Sequence, residues 1–123
     1  ESAYNSTPFF EYYKDDLLPF YEKKWNFLQD FNLEIQSKML ELLNLSTVIQ
    51  LTTDYKVMLD DTVLDLRDAI HPKKENQSLS SKTYYQVFDQ RFGFQPNLSI
   101  IDLLFNMGNE SIFSLIHNSL LKK

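Results

Sequence analysis

Chemically versatile side chains are densest in Asp65-Leu66-Arg67-Asp68-Ala69-Ile70-His71-Pro72-Lys73-Lys74, where a guanidinium, an imidazole and two ammonium groups fall within ten residues. Arg67 can offer a planar fork to a phosphate or carboxylate, and His71 can take up a proton near neutral pH. A plainer reading pairs Arg67 with Asp65 or Asp68 and leaves Lys73-Lys74 as a solvated loop. A second set is Asn97, Ser99, Asp102 and Asn106, the polar residues of an otherwise apolar run from Asn97 to Phe105 and its ends. Ser99, Asp102 and Asn106 stand three and four apart, which on a helix makes one narrow stripe. An unpaired buried carboxylate is costly, so a polar stripe on a buried helix must meet water, a ligand or another part of the chain. It either lines a pocket or serves as a structural cap for a neighbouring helix or loop.

Other chemistries find little support. The chain has no cysteine, so neither a disulfide framework, a thiolate metal site nor a cysteine nucleophile can be built from it. Its two histidines are far apart and lack metal-ligand spacing, and with two glycines it has no Gly-rich phosphate loop and no G-x-S-x-G elbow. We expect no metal and no cofactor. A net charge of −5, from 12 cations against 17 anions, argues against a nucleic-acid partner, which needs a dense basic surface to release counterions. No apolar stretch approaches the roughly 20 residues of a membrane span. Trp25 and the aromatics Phe9, Phe10, Tyr12, Tyr13, Phe20 and Tyr21 read either as packing between short helices or as a platform on which a sugar could stack.

The elements that would position these groups are mostly helical. Thr7-Pro8 suits a helix start, and Asp15 or Asp16 can cap a second turn in which Pro19 is tolerated near the beginning. This predicts two short helices or one kinked helix. From Trp25 to Leu43, Phe27, Phe31, Ile35, Met39 and Leu42 recur at helical spacing and predict an amphipathic helix, ended by Asn44 in a left-handed cap. Thr47-Val48-Ile49-Gln50-Leu51-Thr52 has the β-branched content of a short strand. Leu59-Asp60-Asp61-Thr62 reads as a turn, Val63 to Ile70 as a short ordered stretch that ends before Pro72, and Lys73 to Lys82 as polar linker. Tyr84 to Phe92 fits a helical face through Tyr84, Phe88 and Phe92, although Tyr84 to Phe88 also passes as a strand. Gly93 breaks it. Asn97 is expected to cap the next helix, which is apolar around most of its circumference and so belongs at the centre of the core. Gly108 ends that helix, and Asn109 is expected to cap a last one whose Ile112, Phe113, Leu115, Ile116, Leu120 and Leu121 bury one side.

The expected fold class is therefore mainly α, a compact multi-helix domain with at most one or two short strands, spanning 1–123 as a single domain. At 43% hydrophobic and 15% aromatic residues the chain can supply a core, and a length of 123 residues allows burial of roughly two-thirds of its unfolded surface. It opens on Glu1-Ser2-Ala3-Tyr4 without an initiator Met or signal-peptide remnant, and closes on Lys122-Lys123 as an amphipathic helix frays into solvent. We expect the carboxyl-terminal portion of a longer protein. Asn-x-Ser/Thr matches occur at Asn5, Asn44, Asn76, Asn97 and Asn109, two of them beside strongly apolar runs. The Cys-free, Asn-rich composition reads more simply as bacterial and cytoplasmic.

Two stretches go beyond generic patterning. Pro8-Phe9-Phe10-Glu11-Tyr12-Tyr13 leads to Glu22-Lys23-Lys24-Trp25, and Gly93-Phe94-Gln95-Pro96-Asn97-Leu98-Ser99-Ile100-Ile101-Asp102-Leu103-Leu104-Phe105-Asn106-Met107-Gly108 follows later. With Asp65-Leu66-Arg67 and Ile70-His71-Pro72-Lys73-Lys74, in this order and at these spacings, the chain resembles the WbqC-like protein family over nearly its whole length. It resembles the carboxyl-terminal part of a typical member, since the usual opening motif I-L-Q-P-x-Y-x-P has no match here. The resemblance implies an association with bacterial O-antigen and other surface-polysaccharide biosynthesis, and a transferase that attaches a glycyl or similar acyl group to a sugar. It points to Asn97, Ser99, Asp102 and Asn106 as the first pocket or binding candidates and to Arg67 and His71 as the second. The implied partners are the missing amino-terminal half of the same protein and a sugar or nucleotide-sugar ligand. A non-catalytic helical interaction module is the alternative. Without its other half, this piece is expected either to form a homodimer or to expose apolar area between Tyr4 and Tyr21.

Overall fold

The structure, a computed structural model, describes residues 2–68 and 82–120, with the side chains of the last helix described through Ile116. The elements run α1 (Phe10–Leu17), α2 (Pro19–Glu22), α3 (Leu28–Leu42), α4 (Asp89–Phe92), α5 (Ile100–Met107), a 3-10 turn (Gly108–Glu110) and α6 (Ser111–Leu120). The class is mainly α, as the periodicity predicts, and no strand occurs among the described residues. The residues form two compact units, Glu1–Thr47 with Ser81–Lys123, and Val48–Ser80.

The larger unit is built around α5. Leu104 and Phe105 are packed with Phe10, Tyr13 and Leu17 of α1 and with Met39 and Leu43 at the end of α3. The α1 residues recur at spacings of three and four, so a single stripe turns inward. The helix itself runs straight through Asp15 and Asp16, which lie inside α1 and not at a cap; it ends at Leu18, after which Pro19 takes the first position of α2. Thr7 also does not cap: its hydroxyl and amide both donate to Tyr4 O, while the Phe9 amide donates to Phe105 O at 3.0 Å and so joins the start of α1 to α5.

Helix α3 begins three residues later than the spacing predicts, because Phe27 is extended. The indole of Trp25 stacks on Phe20, meets Phe31 edge-on and donates to Phe20 O, which closes the turn between α2 and α3. Asn44 ends α3 at φ +55, with the Leu45 amide donating to Leu40 O, as a left-handed cap requires. The β-branched run after it makes no strand among the described residues: Val48 and Leu51 are exposed, and β-propensity alone cannot order a segment that no second strand pairs with.

Gly108 is the sharpest local constraint. It ends α5 at φ +56, and a Cβ there would come within 2.7 Å of the Phe9 ring. The 3-10 turn that follows places Asn109 inside the reversal, where its side chain accepts from the Tyr13 hydroxyl at 3.4 Å, so it is not the cap of α6. The apolar side of α6 is buried only in part: Ile112 and Leu115 are half-buried, with Leu115 packed against the core, Ile116 is exposed, and Leu120 and Leu121 lie outside the residues whose side chains are described. Ser111 and Ser114 are buried while Phe113 is 67% exposed, because small side chains allow close approach to α5 and the Ser111 hydroxyl donates to Gly108 O and Leu103 O.

In the unit Val48–Ser80, the expected turn is present: Thr62 N donates to Asp60 Oδ1 and Val63 N to Asp60 O. Residues 63–68 form no helix or strand, and the expected linker from Lys73 lies outside the described residues up to Lys82.

Replacing Gly108 by Ala is expected to cost about 1–3 kcal/mol, from a left-handed non-glycine residue pressed against the Phe9 ring. Leu104→Ala, at a fully buried position, should cost about 2–5 kcal/mol. Urea unfolding midpoints measure both, and a Gly108→Ala midpoint equal to that of the parent protein would show that the Phe9 ring yields freely.

Candidate functional site

Helix α5 starts at Ser99, whose hydroxyl accepts from Ile101 N in the N-cap position. Asn97, expected in that role, instead holds φ +58, a left-handed conformation that asparagine tolerates and that turns the chain into the helix. Asp102 therefore falls in the first turn, where the helix dipole favours a carboxylate. It is 6% exposed, and Asn106, one turn on, is equally buried.

Both are satisfied by an extended segment that crosses α5. The Tyr84 hydroxyl donates to Asp102 Oδ2 at 2.6 Å, and Gln86 Nε2 approaches the same oxygen at 3.5 Å. Asn106 donates through Nδ2 to Asp102 O and accepts the Val87 amide on Oδ1 at 3.0 Å. Gln86 in turn pairs with the backbone of Gln95, donating to its carbonyl and accepting its amide, both at 2.8 Å. Burial is the main force pushing the Tyr84 phenol up to about 12; the hydrogen bond to Asp102 adds to it and Gln86 opposes it. Tyr4 is also raised, first by burial, then by the charge of Asp102 and a hydrogen bond to it.

These groups enclose a pocket of about 380 Å³. Asp102 and Asn106 line its α5 side, Gln86 and Gln95 another, and Tyr4, Phe88, Phe92 and Leu98 supply apolar walls. Phe92 is 62% exposed at its rim. A carboxylate and amides among aromatic rings form a surface that can hold a small polar ligand by hydrogen bonds and by stacking.

Of the six residues expected at a site, the structure brings Asp102 and Asn106 together in this pocket. Ser99 borders a second, more apolar concavity of about 390 Å³, lined also by Tyr4, Leu18, Tyr21 and Phe105, and Asn97 is exposed and lines neither. Arg67 belongs to the unit Val48–Ser80 and is turned inward on its own loop. Its Nε and Nη2 donate to the Asp65 carboxylate, Nη1 donates to Lys56 O at 2.7 Å, and the guanidinium lies 5.3 Å from the Tyr55 ring. Arg67 holds the Asp65 carboxyl down to about 2. This is the pairing that the plainer reading of Arg67 describes. His71 lies outside the described residues.

The pocket residues not anticipated are Tyr4, Gln86, Phe88, Phe92 and Gln95, and Tyr84, which bonds Asp102 without lining the pocket, was not anticipated either. Part of the signal was present: Tyr84 and Gln86 stand two apart, the period at which an extended chain presents one face. Among the described residues no group of three or more His, Cys, Asp or Glu is placed to hold a metal ion, and no helix is long and apolar enough to cross a membrane.

Fold and site together define a mainly helical protein with a small pocket whose one ionisable acid is buried on its central helix. The sequence pattern of the WbqC-like protein family matches residues 1–86 and 71–113, and the chain belongs to that family. No curated protein and no solved structure matches it.

Because the fold keeps the Tyr84 phenol protonated above its ordinary value of 10.0, its contribution to stability is complete below pH 10.0 and is lost as the pH rises through about 12. Tyrosinate absorbance of the parent protein minus that of Tyr84→Phe should show one phenol ionising near the higher value. Ionisation at the ordinary value would mean that Tyr84 does not donate to Asp102 in solution.

Proposed function

We propose that this chain is part of a transferase that attaches a glycyl or similar aminoacyl group to a sugar in bacterial surface-polysaccharide synthesis. The observation that carries this reading is the pocket on α5, in which Asp102 and Asn106 are held by fixed partners between aromatic walls. Family membership supports it, through the association of the WbqC-like family with polysaccharide gene clusters. The geometry suits a positioning role. Transfer between two bound molecules gains most from holding them in reacting orientation, and side chains that are themselves hydrogen-bonded do this without further ordering cost. Asp102 can accept a proton or a hydrogen bond from a ligand, and the rings at the rim can cover its apolar faces.

In a strain that carries the intact protein, mass spectrometry of the surface polysaccharide should show a sugar bearing one glycyl or related residue. That group should disappear when the gene is deleted and fail to return with Asp102→Asn, provided the variant melts at close to the parent temperature. A polysaccharide unchanged by the deletion would end this reading.

A specific observation favours the alternative, a helical interaction module. The second concavity is mainly apolar, and beside it Tyr21 is 84% exposed and Leu18 is also exposed. Light scattering of the purified 123-residue chain should then show a dimer that Tyr21→Ser converts to monomer. A parent chain that is monomeric at every concentration tested would remove the support of this surface for self-association.

A further inference from the structure

We propose that the pocket on α5 takes a primary ammonium group, held by the Asp102 carboxylate, and that the ligand is an aminoacyl group or an amino sugar. The proposal rests on the reading of this pocket as a ligand site of the transfer reaction, and adds which chemical group it recognises.

The argument starts from an imbalance of charge. Among the described residues no Lys, Arg or His pairs with Asp102; its partners are the Tyr84 hydroxyl and the Gln86 amide, with the Tyr4 phenol close by. Hydroxyl and amide donors satisfy lone pairs but leave a full negative charge inside the protein, eased only by the first turn of α5. Among the described residues Asp102 is also the one formally charged residue lining the pocket. An anionic group such as a phosphate would therefore meet repulsion that no described lining residue offsets. A neutral sugar hydroxyl would add another donor of a kind already present. A cation supplies what is missing.

The rest of the wall agrees. Tyr4, Phe88 and Phe92 line the same pocket as the carboxylate, and an ammonium over the face of such a ring gains attraction from its quadrupole. The form of the cation follows from the hydrogen bonds. A guanidinium binds a carboxylate best as a fork to both oxygens, but the donors from Tyr84 and Gln86 converge on Oδ2. A compact ammonium needs only one oxygen and can reach a recessed carboxylate.

The test is a titration of the intact protein, followed by amide chemical shifts or calorimetry, with four small probes. Glycinamide and glucosamine carry the ammonium on an aminoacyl unit and on a sugar; N-acetylglycinamide and methylguanidine replace it by a neutral amide and by a fork. Glycinamide, glucosamine or both should bind, and whichever binds identifies the source of the amine. The N-acetyl compound should bind at least about tenfold more weakly, and Asp102→Asn should weaken the amine by about tenfold to a hundredfold. The comparison of glycinamide with N-acetylglycinamide is made on the parent protein, so it reads the need for a charge even if Asp102→Asn misfolds. Absence of binding by both amines, equal binding of N-acetylglycinamide, tighter binding of methylguanidine, or amine binding that survives in a folded Asp102→Asn protein each overturns the proposal. The two readings fail separately. Amine binding that depends on Asp102, in a protein whose deletion leaves the polysaccharide unchanged, sinks the transferase and keeps the site; loss of the sugar modification on deletion without amine binding does the reverse.

Discussion

The larger unit depends on one constraint: α5 is buried nearly all round, yet carries two polar side chains that cannot be left without partners. Leu103, Leu104 and Phe105 account for the burial, and Asp102 and Asn106 come with it because they lie on the same two turns. A buried carboxylate and a buried amide must find donors and acceptors or cost several kcal/mol, on the order of the whole margin of stability of a small domain. The chain meets that demand with the stretch from Tyr84 to Gln95, laid across α5 and fastened by side chains. The pocket is the space left over where this strap, the amino-terminal Tyr4 and the helix do not close completely.

The helices were readable in advance wherever an apolar stripe repeats over two or more turns. The α3 stripe and the left-handed stop at Asn44 are the clearest instances, and the all-round apolarity of α5 correctly placed it at the centre. Termini were harder. Thr7, Asn97 and Asn109 all have the side chain of an N-cap, but which Ser, Thr or Asn becomes the cap is settled by where the neighbouring backbone must go, as the Phe9–Phe105 hydrogen bond across the fold and the local Ser111–Gly108 bond show. The face of α6 was legible in part for a related reason: Leu115 does pack on the core, but hydrophobicity also favours Phe113, whereas close packing against α5 favours serine.

The candidate site was half legible. Asp102 and Asn106 stood out because polar residues on an apolar helix are anomalous. Their partners did not, since Tyr84 and Gln86 are ordinary residues until it is known that their segment is extended and not helical. The two-residue spacing of Tyr84 and Gln86 carried that information, while Phe88 already turns into the short helix α4 at Asp89–Phe92, which is what remains of the competing pattern. Arg67 shows the opposite case. Its local acid partner, two residues away, was visible in the sequence, and the pairing is one that any Asp-x-Arg turn can make.

Tyr4 lines both the polar pocket on α5 and the more apolar concavity beside Tyr21, and meets Phe105 edge-on. One aromatic ring is thus a shared partition. Its two side-chain torsions set how the empty space is divided, so a rotation that widens one chamber narrows the other. Whatever molecule fills the polar chamber and whatever surface covers the apolar one would meet the same residue, and the volume open to each would depend on the presence of the other.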